Sequence, residues 1–160
     1  MKLEMLTPYH LLRALVEAMR ELFAPVRMGD TREDTINVYP QSLPISTSAD
    51  DEDEYAPYCI VRISDGAVSG VNETENANVL LLFCVRSDAL DMQGYADVLH
   101  LMQMAKQYLL EHPVVGGAFD LLPETVQWTL QQEDSHPYYI GGLTASFACP
   151  PIIRNAPPID

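Results

Sequence analysis

The segment EDSHPYYIGG, residues 133–142, concentrates the side chains that could do chemistry. It holds two carboxylates, a histidine, two adjacent tyrosines and a glycine pair within ten residues. An aspartate next to a histidine can work as an acid–base pair when a nucleophile or a substrate-binding group lies within reach. The sequence contains no recognisable group of that kind. An enzyme centred on His136 therefore stays an alternative, and the favoured prediction is a chain without catalytic residues.

The same segment has the features of a turn that leads into a strand. Asp134 and Ser135 favour turns, and Pro137 fixes a backbone dihedral at the entry to a strand. Consecutive side chains of a strand point to opposite faces. We therefore predict that one of Tyr138 and Tyr139 packs inward, while the other faces solvent or a neighbouring subunit.

Other residues that could bind a metal, a phosphate or a cofactor lack the spacing that such sites require. No glycine-rich phosphate loop is present, and His100 and His112 stand twelve residues apart without a third ligand. The acidic run Asp50–Glu54 lacks the alternating ligands and the central glycine of a calcium loop. Cys149 is better explained as a packed thiol in a strand than as a nucleophile activated by His136. We expect no metal and no cofactor.

Composition and charge exclude several classes of protein. A chain of 160 residues, 48% of them hydrophobic, is typical of one globular domain, expected to span residues 1–160. The net charge of −14 argues against general binding to nucleic-acid phosphates or to anionic lipids. Charged residues interrupt the N-terminal apolar run, so neither a signal peptide nor a membrane span is expected. Three cysteines cannot all pair internally, which favours reduced thiols and a cytosolic protein.

The hydrophobic pattern predicts an α+β fold, with a mostly antiparallel sheet and two main helices packed on it. The first helix should begin at Thr7-Pro8 and end at Pro25. The second should have Asp91 as its N-cap and end at Pro113. Strands are predicted over residues 35–40, 58–64, 78–85, 125–130 and 142–149. The strand 78–85 is apolar on both faces, which predicts a central strand that is covered on both sides.

Two segments are expected to lie outside the sheet. Residues 46–57 include five consecutive acids that repel one another, which predicts a mobile loop. Residues 150–160 are too rich in proline for a helix and should form an extended arm. A rigid sheet that carries a loop and an arm suits assembly with neighbouring subunits.

Four segments resemble the tail terminator proteins of long-tailed bacteriophages and of their prophage relatives. They are PYHLLRALVEAMRELF, APYCIVRISDG, NVLLLFCVRSDALDMQGYADVLHLMQMAKQYLLEHP and VQWTLQQEDSHPYYIGGLTASFACPPIIR. In similar sequences a Gly-Tyr pair, here Gly94-Tyr95, opens the second helix, and a His-Pro-Tyr-Tyr-Gly-like stretch precedes the last strand. The resemblance extends over most of the chain.

The resemblance implies a structural protein of the virion that catalyses no reaction. Members of that family form a hexameric ring that docks on the end of the tail tube, stops its polymerisation and offers its other face to the head connector. The implied partners are further copies of the chain, the tail tube protein and the head–tail connector proteins. The implied location is the cytoplasm of the bacterial host during assembly and the virion afterwards. DNA would pass only as cargo, without specific binding, and no membrane would be involved.

Such a ring needs contacts between subunits, and its pore would face the passing DNA. The candidate assembly or pore contacts are Asp50, Asp51, Glu52, Asp53, Glu54, Tyr138, Tyr139, Ile152, Ile153 and Arg154. Acids that line the pore would repel phosphates and let DNA slide through. Equally, these acids could serve only to keep the free subunit soluble. A small acidic cytosolic module that binds a basic partner remains a further alternative.

Overall fold

The described residues form two helices, a mostly antiparallel six-stranded sheet and a separate two-stranded sheet, which confirms the predicted α+β fold. The computed structural model describes residues 6–44, 55–132 and 135–155. The helices are α1 (Pro8–Phe23) and α2 (Gln93–Glu111). The strands are β1 (Arg27–Met28), β2 (Asp34–Thr35), β3 (Asn37–Pro40), β4 (Tyr58–Val68), β5 (Glu75–Arg86), β6 (Val114–Val115), β7 (Phe119–Leu130) and β8 (Tyr138–Cys149).

Helix α1 has the limits that its sequence predicts. Thr7 is the N-cap, its hydroxyl lies 2.9 Å from Nδ1 of His10, and Pro8 is the first helical residue. The helix ends at Phe23, because Pro25 cannot continue it. Its apolar stripe faces the core, with five buried residues: Leu11, Leu15, Val16, Met19 and Phe23.

Helix α2 begins one residue later than expected. Its N-cap is Met92, which has a left-handed backbone with φ of 61°, so the prediction of Asp91 as the N-cap is wrong. The Asp91 carboxylate nevertheless accepts a hydrogen bond of 3.1 Å from the backbone N–H of Gln93. This bond satisfies one of the free N–H groups at the start of the helix. The helix ends at Glu111, before Pro113, as predicted.

The main sheet has the strand order β3-β4-β5-β8-β7-β6. All neighbouring strands are antiparallel except β3 and β4, which are parallel. The strands predicted over residues 58–64 and 78–85 are β4 and β5, which pair as an antiparallel hairpin that is longer than these ranges and continues to the pair Val68–Glu75. Strand β3 lies at the edge of the sheet, as Pro40 and Pro44 predict.

Both helices pack on one face of a strongly curled sheet. Helix α1 contacts β3 and β6, which are the two edges of the sheet, so the sheet must bend around it. Helix α2 packs on β5, β7 and β8. Residues of both helices and of the large sheet share one buried core. No helix in the described ranges is long and apolar enough to cross a membrane.

The second face of β5 differs from the prediction. Among the described elements neither helix packs there, and Leu80 and Leu82 are only half-buried. Leu82 lies beside Ile60 of the adjacent strand, so neighbouring side chains supply part of the cover. The described residues therefore cover this face only in part, although Cys84 on the same face is buried. An apolar run in a central strand shows that both faces are shielded in part, but it does not specify a second layer.

Candidate assembly surfaces

Tyr139 is the inward-facing member of the tyrosine pair. It is 1% exposed, and its ring meets the Tyr95 ring of α2 edge-on, with the centroids 4.7 Å apart. A Cβ on Gly94 would lie 2.1 Å from Cδ2 of Tyr139, so only glycine fits at this contact. The Tyr139 hydroxyl lies 3.0 Å from Nδ1 of His136. The Gly-Tyr pair and the His-Pro-Tyr-Tyr stretch thus meet where α2 packs on β8.

Tyr138 points to the other face of the sheet. It is half-buried and helps to line an open cavity of about 360 Å³. The other lining residues are Leu43, Tyr58, Cys84, Ser135 and Ile140. The alternation of the two tyrosines agrees with their positions in a strand.

The cysteines are three buried free thiols, which confirms the prediction of reduced cysteines. Burial raises the pKa of Cys59 well above its usual value. Burial also raises the pKa of Cys84 to about 11, against a smaller lowering by the Tyr58 hydrogen bond. For Cys149, burial and then the charge of Glu75 raise the pKa to about 11. A thiolate is the reactive form, so these groups are poor nucleophiles at neutral pH.

The pairing of Cys149 with His136 is excluded by distance. His136 precedes the first residue of β8 and Cys149 is its last. A strand rises by about 3.4 Å per residue, so the two residues lie on the order of 35 Å apart. A proton transfer requires contact or a single bridging water.

Other polar clusters join loops to the fold. The Asp30 carboxylate accepts hydrogen bonds from the Ser87 hydroxyl and from the Asp88 backbone N–H, and these two bonds lower its pKa. Arg32 forms an ion pair of 2.8 Å with Asp97 of α2. The described ranges contain no group of three His, Cys, Asp or Glu residues that could hold a metal ion.

The β4–β5 hairpin ends in an exposed turn. The last five residues of β4 are exposed, and the turn that follows them is exposed as well. The start of the C-terminal arm runs beside this turn, because the backbone N–H of Arg154 donates a 2.6 Å hydrogen bond to Oδ1 of Asn72. We call residues 64–76 and 150–155 together the protrusion.

The protrusion carries four exposed aliphatic side chains. They are Val68, Val71, Ile152 and Ile153, which are 59%, 65%, 72% and 66% exposed. Val71 and Ile153 each adjoin a member of the bonded pair Asn72–Arg154. Single apolar residues on a surface are normal, whereas a group of them marks an interaction site.

A groove of about 560 Å³ lies between α1 and the end of β3. It is lined by Tyr9, Leu12, Arg13, Ala14, Val16, Glu17, Arg20 and Pro40. The guanidinium carbon of Arg13 lies 6.0 Å from the Tyr9 ring centroid, and Arg20 donates a 3.1 Å hydrogen bond to the Val38 carbonyl. These contacts hold two arginines at the groove.

The predicted site residues fall in three places. The acids Asp50–Glu54 lie outside the described residues, as do the rest of segment 46–54 and the arm residues 156–160. Tyr138 and Tyr139 start β8 beside α2, whereas Ile152, Ile153 and Arg154 follow its other end and lie in the protrusion. The structure therefore does not bring the tyrosines and the arm together.

Sequence reasoning missed two parts of these surfaces. In the protrusion it missed Val68, Val71 and Asn72, although two valines amid the turn residues of DGAVSGVNETEN were a usable signal. In the groove it missed Tyr9 and Arg13. An aromatic residue that falls outside the apolar stripe of an amphipathic helix was the signal there.

No model of a protein family matches the chain, and no curated protein matches it. Among solved structures, it is similar to a chain in the virion of a native gene transfer agent (GTA) particle. The two chains are 9% identical, with a TM-score of 0.39, over 89% of this chain and 90% of that chain. A likeness at this level assigns no function.

Proposed function

We propose that the chain is a structural virion assembly protein of the tail terminator type. In this proposal, six copies form a ring on the end of a phage tail tube, end its polymerisation and join it to the head connector. The observation that carries the proposal is the protrusion, a group of exposed aliphatic side chains on an extension of the sheet. The resemblance of most of the sequence to tail terminators supports it independently.

Burial of the protrusion would stabilise a contact between subunits, but not by enough to hold two subunits together on its own. Full burial of a Val or Ile side chain is worth about 1.5–3 kcal/mol, so four partly exposed ones could add about 4–8 kcal/mol. Association costs roughly 4–15 kcal/mol in lost translational and rotational freedom, so this cost equals or exceeds the gain from burial. In a closed ring each subunit makes two such contacts. Once the first contact has formed, the second forms at a high effective concentration, so the ring is more stable than a single pair.

The edges of the sheet offer additional contacts. Of the described strands, β6 pairs only with Phe119 and Asp120, so the rest of the outer edge of β7 has no strand partner. Trp128 on β7 is also exposed. Unpaired strand edges and exposed aromatic residues are common features of protein interfaces.

The charge of the chain suits a ring through which DNA passes. With 23 acidic and 9 basic residues, the subunit offers few partners for phosphates. We propose that DNA is cargo and that no sequence-specific binding occurs. The acids Asp50–Glu54 are the candidates to face the DNA in this arrangement.

We also propose that the chain is not an enzyme. Its buried thiols have raised pKa values, and the ring of His136 is engaged with the Tyr139 hydroxyl beside α2. Both observations support structural roles for His136 and the three cysteines. A hydrolase activity that His136→Ala abolishes, with assembly unchanged, would contradict this part of the proposal.

Electron microscopy of polymerising tail tubes tests the function. Tube protein is polymerised with and without the chain, and tube ends and lengths are recorded. We expect the wild-type chain to cap the ends and to stop growth, and the variant Val71→Asp/Ile152→Asp to do so far less. Tubes that keep growing with uncapped ends in the presence of the folded wild-type chain would refute the proposal.

A further inference from the structure

The groove on α1 is apolar at its floor and carries a net positive charge at its rim. Val16 is buried and Leu12 half-buried, whereas the exposed charged residues of the lining are Arg13, Glu17 and Arg20. Two arginines against one glutamate leave the groove locally positive, in a chain that has nine Lys and Arg residues against 23 acids. Such a groove suits a partner with aliphatic side chains flanked by acids.

The protrusion has this complementary chemistry. Beside its four exposed aliphatic side chains it carries the carboxylates of Asp65, Glu73 and Glu75, with Arg154 as its one base in the described ranges. Asp65 and Glu73 are exposed. The protrusion is therefore apolar with a net negative charge, and the groove is apolar with a net positive charge.

We propose that the groove between α1 and β3 receives the protrusion of a second copy of this chain. The proposal rests on the proposed function and deepens it, because it names the contact between neighbouring subunits. The two surfaces share no residue, so the contact is heterologous, with one surface of each copy facing the other surface of the next. Repeated contacts of this type close into a ring when the rotation between neighbours allows it.

Complementary variants test the contact. The protrusion variant is Val71→Asp/Ile152→Asp, and the groove variant is Tyr9→Asp/Arg13→Glu. All four side chains are exposed, so both variants should fold, which circular dichroism and thermal melting verify. The control is Leu90→Asp, because Leu90 is 89% exposed and follows the end of β5 that lies away from the protrusion.

Sedimentation velocity then measures the size of each sample up to roughly 1 mM, where even a weak contact is half occupied. We expect the wild type and Leu90→Asp to form the same larger species, and each double variant to sediment as a monomer. An equimolar mixture of the two double variants retains one intact groove and one intact protrusion. This mixture should therefore form a dimer that cannot grow further.

Three results would overturn the proposal. They are a mixture that stays monomeric, a folded double variant that assembles like the wild type, and a wild type that stays monomeric over the whole range.

Failure of this contact and failure of the proposed function can be told apart. If the wild type caps tail tubes and the groove variant caps them equally well, the docking is wrong and the terminator function stands. If the wild type leaves tubes uncapped but the mixed variants form a dimer, the contact exists and the terminator function is wrong.

Discussion

The β5–β8 pair ends differently at its two extremities. At one end, Tyr139 is buried beneath α2 with Gly94 against its ring. At the other, the pair leads into the protrusion, where Val71 and Ile152 face solvent. Helix α2 covers Tyr139, whereas no described residue of the chain gives Val71 and Ile152 a similar cover. We propose that another molecule covers these exposed side chains.

The contacts at the α2 end also explain the role of His136 and of the residues around it. This histidine contacts the hydroxyl of a buried tyrosine, and a buried hydroxyl needs a hydrogen-bond partner. The segment thus positions β8 against α2. Its side chains are used in packing.

The largest loss of stability should come from removing the Tyr139 ring, which is buried beneath α2. Tyr139→Ala removes a fully buried ring, so we expect a loss of about 3–5 kcal/mol in the free energy of unfolding, measured by urea denaturation. Tyr138→Ala, on the half-buried face, should cost clearly less. Equal losses for the two variants would contradict the assignment of the inward and outward tyrosines.

A smaller loss should follow from overfilling the same contact. Gly94→Ala places a Cβ where the Tyr139 ring lies, so the ring must move, at a cost of about 1–3 kcal/mol. Gly142→Ala is the matched control, because its added Cβ would meet Leu80 at an ordinary 3.5 Å. Thermal melting should separate the two variants. A Gly94→Ala protein as stable as Gly142→Ala would disprove the close packing of α2 on β8.

At the exposed end, loss of the link between the turn and the arm should have a local effect. Asn72→Ala removes the acceptor of the Arg154 N–H and places alanine at a φ of 59°, at a combined cost of about 1 kcal/mol. Asn72→Gly tolerates that backbone and removes only the acceptor. Hydrogen exchange should show faster exchange at the Arg154 amide in both variants. Unchanged exchange would mean that this bond does not hold the arm.

The smallest effect on the isolated subunit should come from substitutions at exposed aliphatic residues of the protrusion. Val68→Ser/Ile153→Ser should change the free energy of unfolding by no more than about 0.5 kcal/mol, because these side chains face water in the subunit. Association should nevertheless weaken, since apolar area is lost at the contact. A marked loss of stability in the monomer would show that the side chains pack within their own chain.

Features that depend on local chemistry were predictable from the sequence. Thr7-Pro8 and Pro25 bracket α1, and the apolar run in residues 78–85 predicts a central strand, as found for β5. Features that depend on tertiary contacts were not. Pro123 argues against a strand, yet β7 runs through it because the pairing with β8 shifts register between Leu122 and Gln127.

The candidate surfaces were predictable only in part. The proline-rich arm was expected as an assembly element, because its sequence cannot form a helix. Its partner on the same chain, the hairpin turn, was not expected, since the bond between Arg154 and Asn72 joins residues 82 positions apart. The groove was missed because it combines one face of α1 with the end of an edge strand.

Hydrogen–deuterium exchange of the free and the assembled chain tests the central claim most directly. Peptides that cover residues 66–74 and 150–155 report on the protrusion, and peptides that cover residues 135–141 report on the α2 end. We expect assembly to slow exchange in the protrusion and to leave the α2 end unchanged. Exchange in the protrusion that stays as fast in the assembled particle as in the free subunit would contradict its role as an assembly surface.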